Sequence, residues 1–426
     1  MLALVLALTV ASPAAEVPSG SPLTLPVALR LLRERGFDRL LAELQVQVAR
    51  GDAQAASASA NPQLSGGVGH SFGVDAEACA GCSATSFNVS LSDQAALWDV
   101  IMGKKGLRSD AAKAAIEAAE KNRDAALRGL ELQLKQAFAQ ALLAQKLSGL
   151  AHDASGAAER MRELDEKRRS AGAIGEAELA RVEVQALQTL QLEDQAQAQL
   201  DAARATLRLL LGDAPEADGP LDPAGLDFAL PPSLAQASLD ALVKDAVETR
   251  PDLGAARAQV QRADAAATLA RRQRIPDLAL SLGYAQQGTG ATAITPPTLT
   301  LGLSLPLPLF DQQQGQITHA EADARSQQVS LQRLEAQTRA DVRQAFSAWT
   351  AARNRVQRDE GTLLSRARRV RELVDVQWTK GAASLLDQLD AQRTWLSIES
   401  DHLQDLAAYW TAVAQLEAAV GKELRP

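Results

Sequence analysis

Asp387 and Asp390 are the carboxylates whose spacing best suits joint work, because residues three apart on a helix share one face, about one turn from each other. The chemistry open to such a pair is electrostatic: it attracts cations and repels anions. A solvated helix face would carry the same spacing. The other chemistry-bearing residues are sparse. The only cysteines stand in Cys79-Ala80-Gly81-Cys82, and two thiols do not complete a tetrahedral metal site. That leaves a local disulfide in an oxidising compartment, or a redox-active pair without the βαβ pattern such pairs normally accompany. His70, His152, His319 and His402 are far apart in sequence, and three methionines trace no metal path. No activated nucleophile, metal cluster or phosphate-binding loop is legible, so no enzyme activity, metal site or cofactor is expected.

The elements that position the acidic pair come in two copies, offset by roughly 210 residues. Leu97-Trp98-Asp99 returns as Leu309-Phe310-Asp311, Gln136-Ala137-Phe138 as Gln344-Ala345-Phe346, and Ala171-Gly172-Ala173 as Lys380-Gly381-Ala382. Asn61-Pro62 matches Ile275-Pro276, and Leu211-Gly212 matches Val420-Gly421. The positions matching Asp387 and Asp390 hold Glu178 and Arg181, so the copies differ there. The division expected is a signal peptide at 1–14, a first repeat at 15–211, a linker at 212–237 and a second repeat at 238–426.

Residues 2–10 form an apolar run too short to span a bilayer, with Ser12-Pro13-Ala14 behind it as a small-residue cleavage site. Export follows from that reading. A formal net charge of -8 and the lack of a basic run argue against nucleic acid as a partner. Aromatic residues make up only 3% of the chain, a composition that favours long helices over a conventional mixed core.

Within each copy the period of the pattern switches. At about 62–98 and 276–310 the sequence alternates with period two, the mark of strands. Leu299 to Leu309 place every second residue on one apolar face, opposite Thr298, Thr300, Gly302 and Ser304. Leu278, Leu280, Leu282 and Tyr284 do the same, as do Phe87, Val89 and Leu91, and Leu64, Val68 and Phe72. Strands of about 10 residues with a small, uncharged polar face suit a tilted bilayer crossing. The strands of one chain are too few to close a membrane barrel, because unpaired edges in hydrocarbon are prohibitively costly, so the chain must oligomerise. Trp98 and Phe310, at the strand-to-helix junctions, suit a membrane interface.

At about 104–211 and 314–420 a long helix runs out, turns at a glycine, and returns. Leu389, Leu396, Leu403 and Trp410 repeat every seven residues, with Leu406, Val413 and Val420 as a second seam. The outgoing helices are expected to be unbroken to Arg169 and Thr379.

These hairpins, the closing segment Leu305-Pro306-Leu307-Pro308-Leu309-Phe310-Asp311, Arg250-Pro251-Asp252-Leu253 and the run from Lys380 to Gln392 resemble the TolC-type outer-membrane efflux protein family. The resemblance covers nearly the whole mature chain and lies nearest the heavy-metal cation and drug efflux branch. It implies an α+β membrane protein: an internally duplicated protomer with four β-strands and long α-helical hairpins, trimerising into a 12-stranded barrel in the outer-membrane lipid, continuous with a 12-helix periplasmic α-barrel. It also implies a homotrimer working with a periplasmic adaptor, or membrane fusion protein, and an inner-membrane pump. A periplasmic gate would then lie at Asp387, Asp390 and Trp378, with Glu178 and Arg181 at the matching first-copy positions. Three copies would ring the mouth with carboxylates. Family members often carry an arginine where Ala383 stands. The exposed tips Ala171-Gly172-Ala173-Ile174 and Lys380-Gly381-Ala382-Ala383 would meet the adaptor. A periplasmic coiled-coil adaptor or structural protein is the rival reading, and the two leucine-faced strand pairs oppose it.

Overall fold

A computed structural model describes residues 23–72, 85–212, 238–287 and 297–424. The expected signal segment, Cys79 and Cys82, and residues 213–237 of the expected linker lie outside them. In chain order the elements are α1 (Leu25–Arg35), α2 (Phe37–Ser57), β1 (Gln63–His70), β2 (Thr85–Ser92), α3 (Ala96–Ile101), α4 (Lys104–Ser170), α5 (Glu176–Leu211), α6 (Leu239–Thr249), α7 (Pro251–Gln273), β3 (Ala279–Gln287), β4 (Thr298–Ser304), α8 (Gln314–Arg358), a π-helical turn (Asp359–Leu363), α9 (Leu364–Thr379) and α10 (Leu385–Val420). The chain divides into two compact units, one built from residues 41–126 and 243–340, the other from residues up to 40, 127–242 and 341 onward.

The first unit holds one antiparallel sheet in the order β1-β2-β3-β4, so β2 and β3 join the two repeats. Register follows from the period-two pattern. Leu64 faces Leu91, Leu91 faces Leu282 and Leu282 faces Leu301; Val89 faces Tyr284, which faces Leu299. One apolar face therefore runs across all strands. The other carries Ser65, Ser90, Gly283 and Thr300 in a single row. The apolar face is not a core within this chain, since Leu301 is 76% exposed.

The strands are 7–9 residues long, shorter than the alternation suggested. β4 stops at Ser304, because Pro306 and Pro308 have no N–H to give a ladder; Leu305, Leu307 and Leu309 keep the pattern without the strand. Likewise β2 ends at Ser92 and the chain enters α3, so Trp98 is helical. Asp93 makes that turn: its carboxylate accepts the Leu280 N–H at 2.8 Å and the Ala95 N–H at 3.1 Å.

α2 lies along α4 through Arg50–Glu120 (2.8 Å) and Arg123–Glu43 (3.5 Å). α7 lies along α8 through buried Ala263, Ala267 and Ala324, flanked by Arg271–Glu321 at 2.8 Å. Lys104, at the start of α4, is 3% exposed and holds Asp277 at 2.6 Å and the Ile275 carbonyl at 2.7 Å, tying the first repeat to the residues entering β3.

In the second unit, Leu25, Ala28, Leu31 and Leu32 of α1 pack among Leu134 and Phe138 of α4 and Leu207 and Leu211 of α5. Gly212 closes α5 with φ +70°, and a Cβ there would sit 2.6 Å from the Arg35 carbonyl. On α10, Leu406, Tyr409, Val413, Leu416 and Val420 are buried. The outgoing helix of the second repeat is not the unbroken rod expected from sequence, because the π-helical turn interrupts it. Its sheltered positions are Val342, Ala345, Trp349, Ala352, Val356 and Asp359, then Leu364, Ala367, Arg371, Val374 and Trp378. A regular heptad would continue from Asp359 to Leu363. One extra residue is present, and a π turn absorbs one residue within a helix.

Candidate functional site at the helical turns

Both hairpins turn on a glycine in the left-handed region, Gly172 at φ +76° and Gly381 at φ +73°. That conformation costs an L-residue with a side chain about 1–2 kcal/mol and costs glycine nothing. The turns close alike: Ala173 N–H donates to the Arg168 carbonyl at 2.9 Å, and Ala382 N–H to the Gln377 carbonyl at 2.7 Å. Ala171, Gly172, Ala173, Lys380, Gly381 and Ala382 are exposed, while Ile174 and Ala383 are half-buried.

The restarts differ. α5 begins at Gly175 without a side-chain cap, though Arg169 reaches Glu176 at 3.4 Å across the turn. α10 begins with a capping box: Asp387 N–H donates to Ser384 Oγ at 3.2 Å, and Asp387 Oδ2 accepts the Ser384 N–H at 3.0 Å. The Ser384 hydroxyl also donates to that oxygen at 2.7 Å. These bonds, the hydroxyl's first, hold the Asp387 carboxyl below its ordinary range. Asp387 is therefore a helix cap as well as an exposed charge. Asp390, a turn onward, is exposed, as are Glu178 and Arg181 on α5.

Trp378 lies at the end of α9, half-buried, with the Arg168 guanidinium of α4 4.5 Å from its ring centroid. Arg168 also sits 3.2 Å from Asp165, a carboxylate with 3% of its side chain exposed. Burial pushes the Asp165 carboxyl up and Glu178 adds to that, while Arg168 draws it down. A cation shared between an aromatic face and a buried carboxylate thus bridges the two outgoing helices. Beneath the turns Gln388 of α10, itself buried, donates to Asp375 of α9 at 2.9 Å. Trp378, Gln388, Val182 and Met161 line a cavity of about 360 Å³ between α4, α5, α9 and α10.

Of the residues picked from sequence, Trp378, Asp387 and Asp390 fall at the second turn and Glu178 and Arg181 at the first. Asp165, Arg168, Asp375 and Gln388 were missed. Arg168 sits in Lys167-Arg168-Arg169, which reads as the usual basic end of a helix. The junction aromatics differ: Phe310 is 96% exposed, whereas Trp98 is half-buried. Among the described residues no helix is long and apolar enough to cross a membrane.

The family model for outer membrane efflux proteins matches residues 28–213 and 242–422. The cobalt-zinc-cadmium resistance protein CzcC of Cupriavidus metallidurans is 28% identical over 412 residues, covering 95% of this chain and 91% of that one. Among solved structures, the outer-membrane channel OprN superposes with a TM-score of 0.76 at 21% identity, covering 94% of this chain and 91% of that one. The Campylobacter jejuni CmeC outer membrane channel gives 0.78 at 18% identity, covering 96% and 90%.

Proposed function

The chain belongs to the outer membrane efflux protein family and is the outer-membrane channel component of an efflux system; we propose that it acts as a homotrimer receiving substrate from an inner-membrane pump through a periplasmic adaptor. It conducts passively. The observation that carries this reading is the sheet: one apolar face across all four strands, with β1 and β4 left as open edges. In hydrocarbon those edges must pair, and joining them to other copies closes a barrel without new chain. The row of Ser65, Ser90, Gly283 and Thr300 then lines a small, uncharged pore.

The helical turns form the periplasmic gate and offer their exposed tips to the adaptor. Asp387 and Asp390 give the mouth a ring of carboxylates that concentrates cations. The Arg168 bridge from Asp165 to Trp378 holds the two outgoing helices together, in place of the arginine that family members often carry where Ala383 stands. Heavy-metal cations are the favoured cargo, supported by the acidic mouth and by the name of the Cupriavidus metallidurans relative; small toxic compounds are the alternative.

Native mass spectrometry and planar-bilayer recording of the detergent-extracted protein test the assembly. Three chains and discrete, cation-preferring conductance steps are expected, and a monomer without conductance would refute it. For the cargo, deletion of the gene should sensitise cells to cobalt, zinc or cadmium salts more than to organic dyes and detergents.

A further inference from the structure

Each helical hairpin carries one histidine–carboxylate contact across its two helices, at matching places in the repeat. In the first, His152 Nδ1 of α4 meets Glu193 Oε1 of α5 at 2.7 Å. In the second the roles are exchanged: Asp359 opens the π-helical turn, and His402 of α10 faces it with Nδ1 3.9 Å from Oδ2. Residues 152 and 359, and 193 and 402, are related by about 208 residues, the offset of the whole duplication. Two of the four histidines in the chain are used this way.

The second contact is unfinished. The side chains of His402 and Asp359 are 10% and 17% exposed, and the buried Nδ1 has no hydrogen-bond partner. Besides His402, the charged groups that act on Asp359 are Arg358 of α8 and Asp405 of α10, whose side chain also hydrogen-bonds it. Arg355 is committed to Asp405 at 2.7 Å. Asp359 is thus a sheltered carboxylate beside a second carboxylate, and burial first, then Asp405, pushes its carboxyl up. Arg358 draws it down only in part, and a protonated imidazole would add a second positive charge. Closing 3.9 Å to hydrogen-bond length needs movement of about 1 Å, which a π turn holding one surplus residue can absorb.

We propose that these two contacts form a proton-responsive collar midway along the hairpins, in which protonation of His152 and His402 clamps each outgoing helix to its returning partner. One proton from bulk water binds each imidazole; no bond other than the N–H forms or breaks. In the first hairpin the contact is already made, and the Glu193 hydrogen bond raises the His152 pKa, with Asp153 adding to it. Glu193 is lowered in turn. The sign is therefore set: the clamp holds between the lowered Glu193 value and the raised His152 value, and is lost as pH rises through the latter. In the second hairpin a proton on the imidazole would complete the 3.9 Å contact and close the π turn onto α10. Only a consequence for conduction rests on the channel reading.

Hydrogen exchange of the intact detergent-extracted protein tests this without reference to conductance. After correction for intrinsic exchange, protection of residues 359–366 and 399–406 should rise at least several-fold on going from about pH 8 to about pH 6. His402→Gln should flatten that profile and leave the one at residues 149–156 intact, and His152→Gln should do the reverse. Asp359→Asn provides a second, shape-preserving variant that should also be flat at the π turn. A flat wild-type profile, or an unchanged profile in either folded second-hairpin variant, overturns the proposal. Loss of single-channel conductance at every pH with the exchange profile preserved would sink the channel reading instead.

Discussion

Asp387 and Asp390 look interchangeable in sequence, yet only Asp387 is bonded into the capping box. Its lowered carboxyl stays charged further into acid, and its contribution to stability, present above the unfolded value, is lost as pH falls through the folded one. Asp387→Asn should lower both the cation preference and the melting temperature, whereas Asp390→Asn should lower the preference alone. Reversal potentials in a salt gradient and thermal melts in detergent separate the two effects. Trp378→Ala removes the face against which Arg168 is held; a cation–π contact of about 0.5–2 kcal/mol predicts a rise in open probability of about twofold to about thirtyfold in bilayer recordings. The acidic pair was picked out by its three-residue spacing just past a glycine turn, and Trp378 by the family resemblance. Arg168 was not, since a basic residue closing a helix has a sufficient local reason to be there and its partners lie on another element.

At the scale of elements, the strand register could be read from alternation and the helices from their seven-residue seam: Leu389, Trp410, Leu406, Val413 and Val420 are buried, while Leu396 and Leu403 are half-buried. A second column on α10 escaped it. Gln388, Trp395, His402 and Tyr409 also repeat every seven residues; Gln388, His402 and Tyr409 are buried and Trp395 half-buried. Polar members conceal this column, because each faces a group on the opposite helix that the sequence does not show: Asp375 bonds Gln388, the Arg371 guanidinium lies 3.9 Å over the Trp395 ring, and Asp359 stands 3.9 Å from His402 without bonding it. The single surplus residue at the π turn is equally hard to see without knowing which positions are sheltered. Lys135 of α4 and Glu417 of α10 make the same point energetically, meeting at 2.8 Å with little of either side chain exposed. Glu417→Ala strands the lysine and should cost about 3–5 kcal/mol, while joint replacement by Lys135→Met and Glu417→Met should recover most of it. Chemical denaturation in mild detergent measures both.

For the whole molecule, the duplication explains why so much was legible: each pattern appears twice, so a weak signal in one copy is checked by the other. The exposed apolar stripes of one chain call for cover from outside it. Leu41, Leu44 and Val48 lie along one side of α2, and Leu363, Val370 and Leu373 along the outgoing helix of the second repeat; all are exposed. Heptad-spaced apolar stripes left in water are unfavourable, and their spacing suits a neighbouring helix. If further copies of this chain supply those helices, Val370→Asp places a charge where a like helix must pack. It should shift the native mass from three chains to one while leaving the far-ultraviolet helical signal unchanged, because the position makes little contact within its own chain. Leu44→Asp tests the stripe on α2 in the same way. Retention of a trimer by both variants would show that the stripes face something other than a second copy and that the paired sheet edges hold the copies together without them.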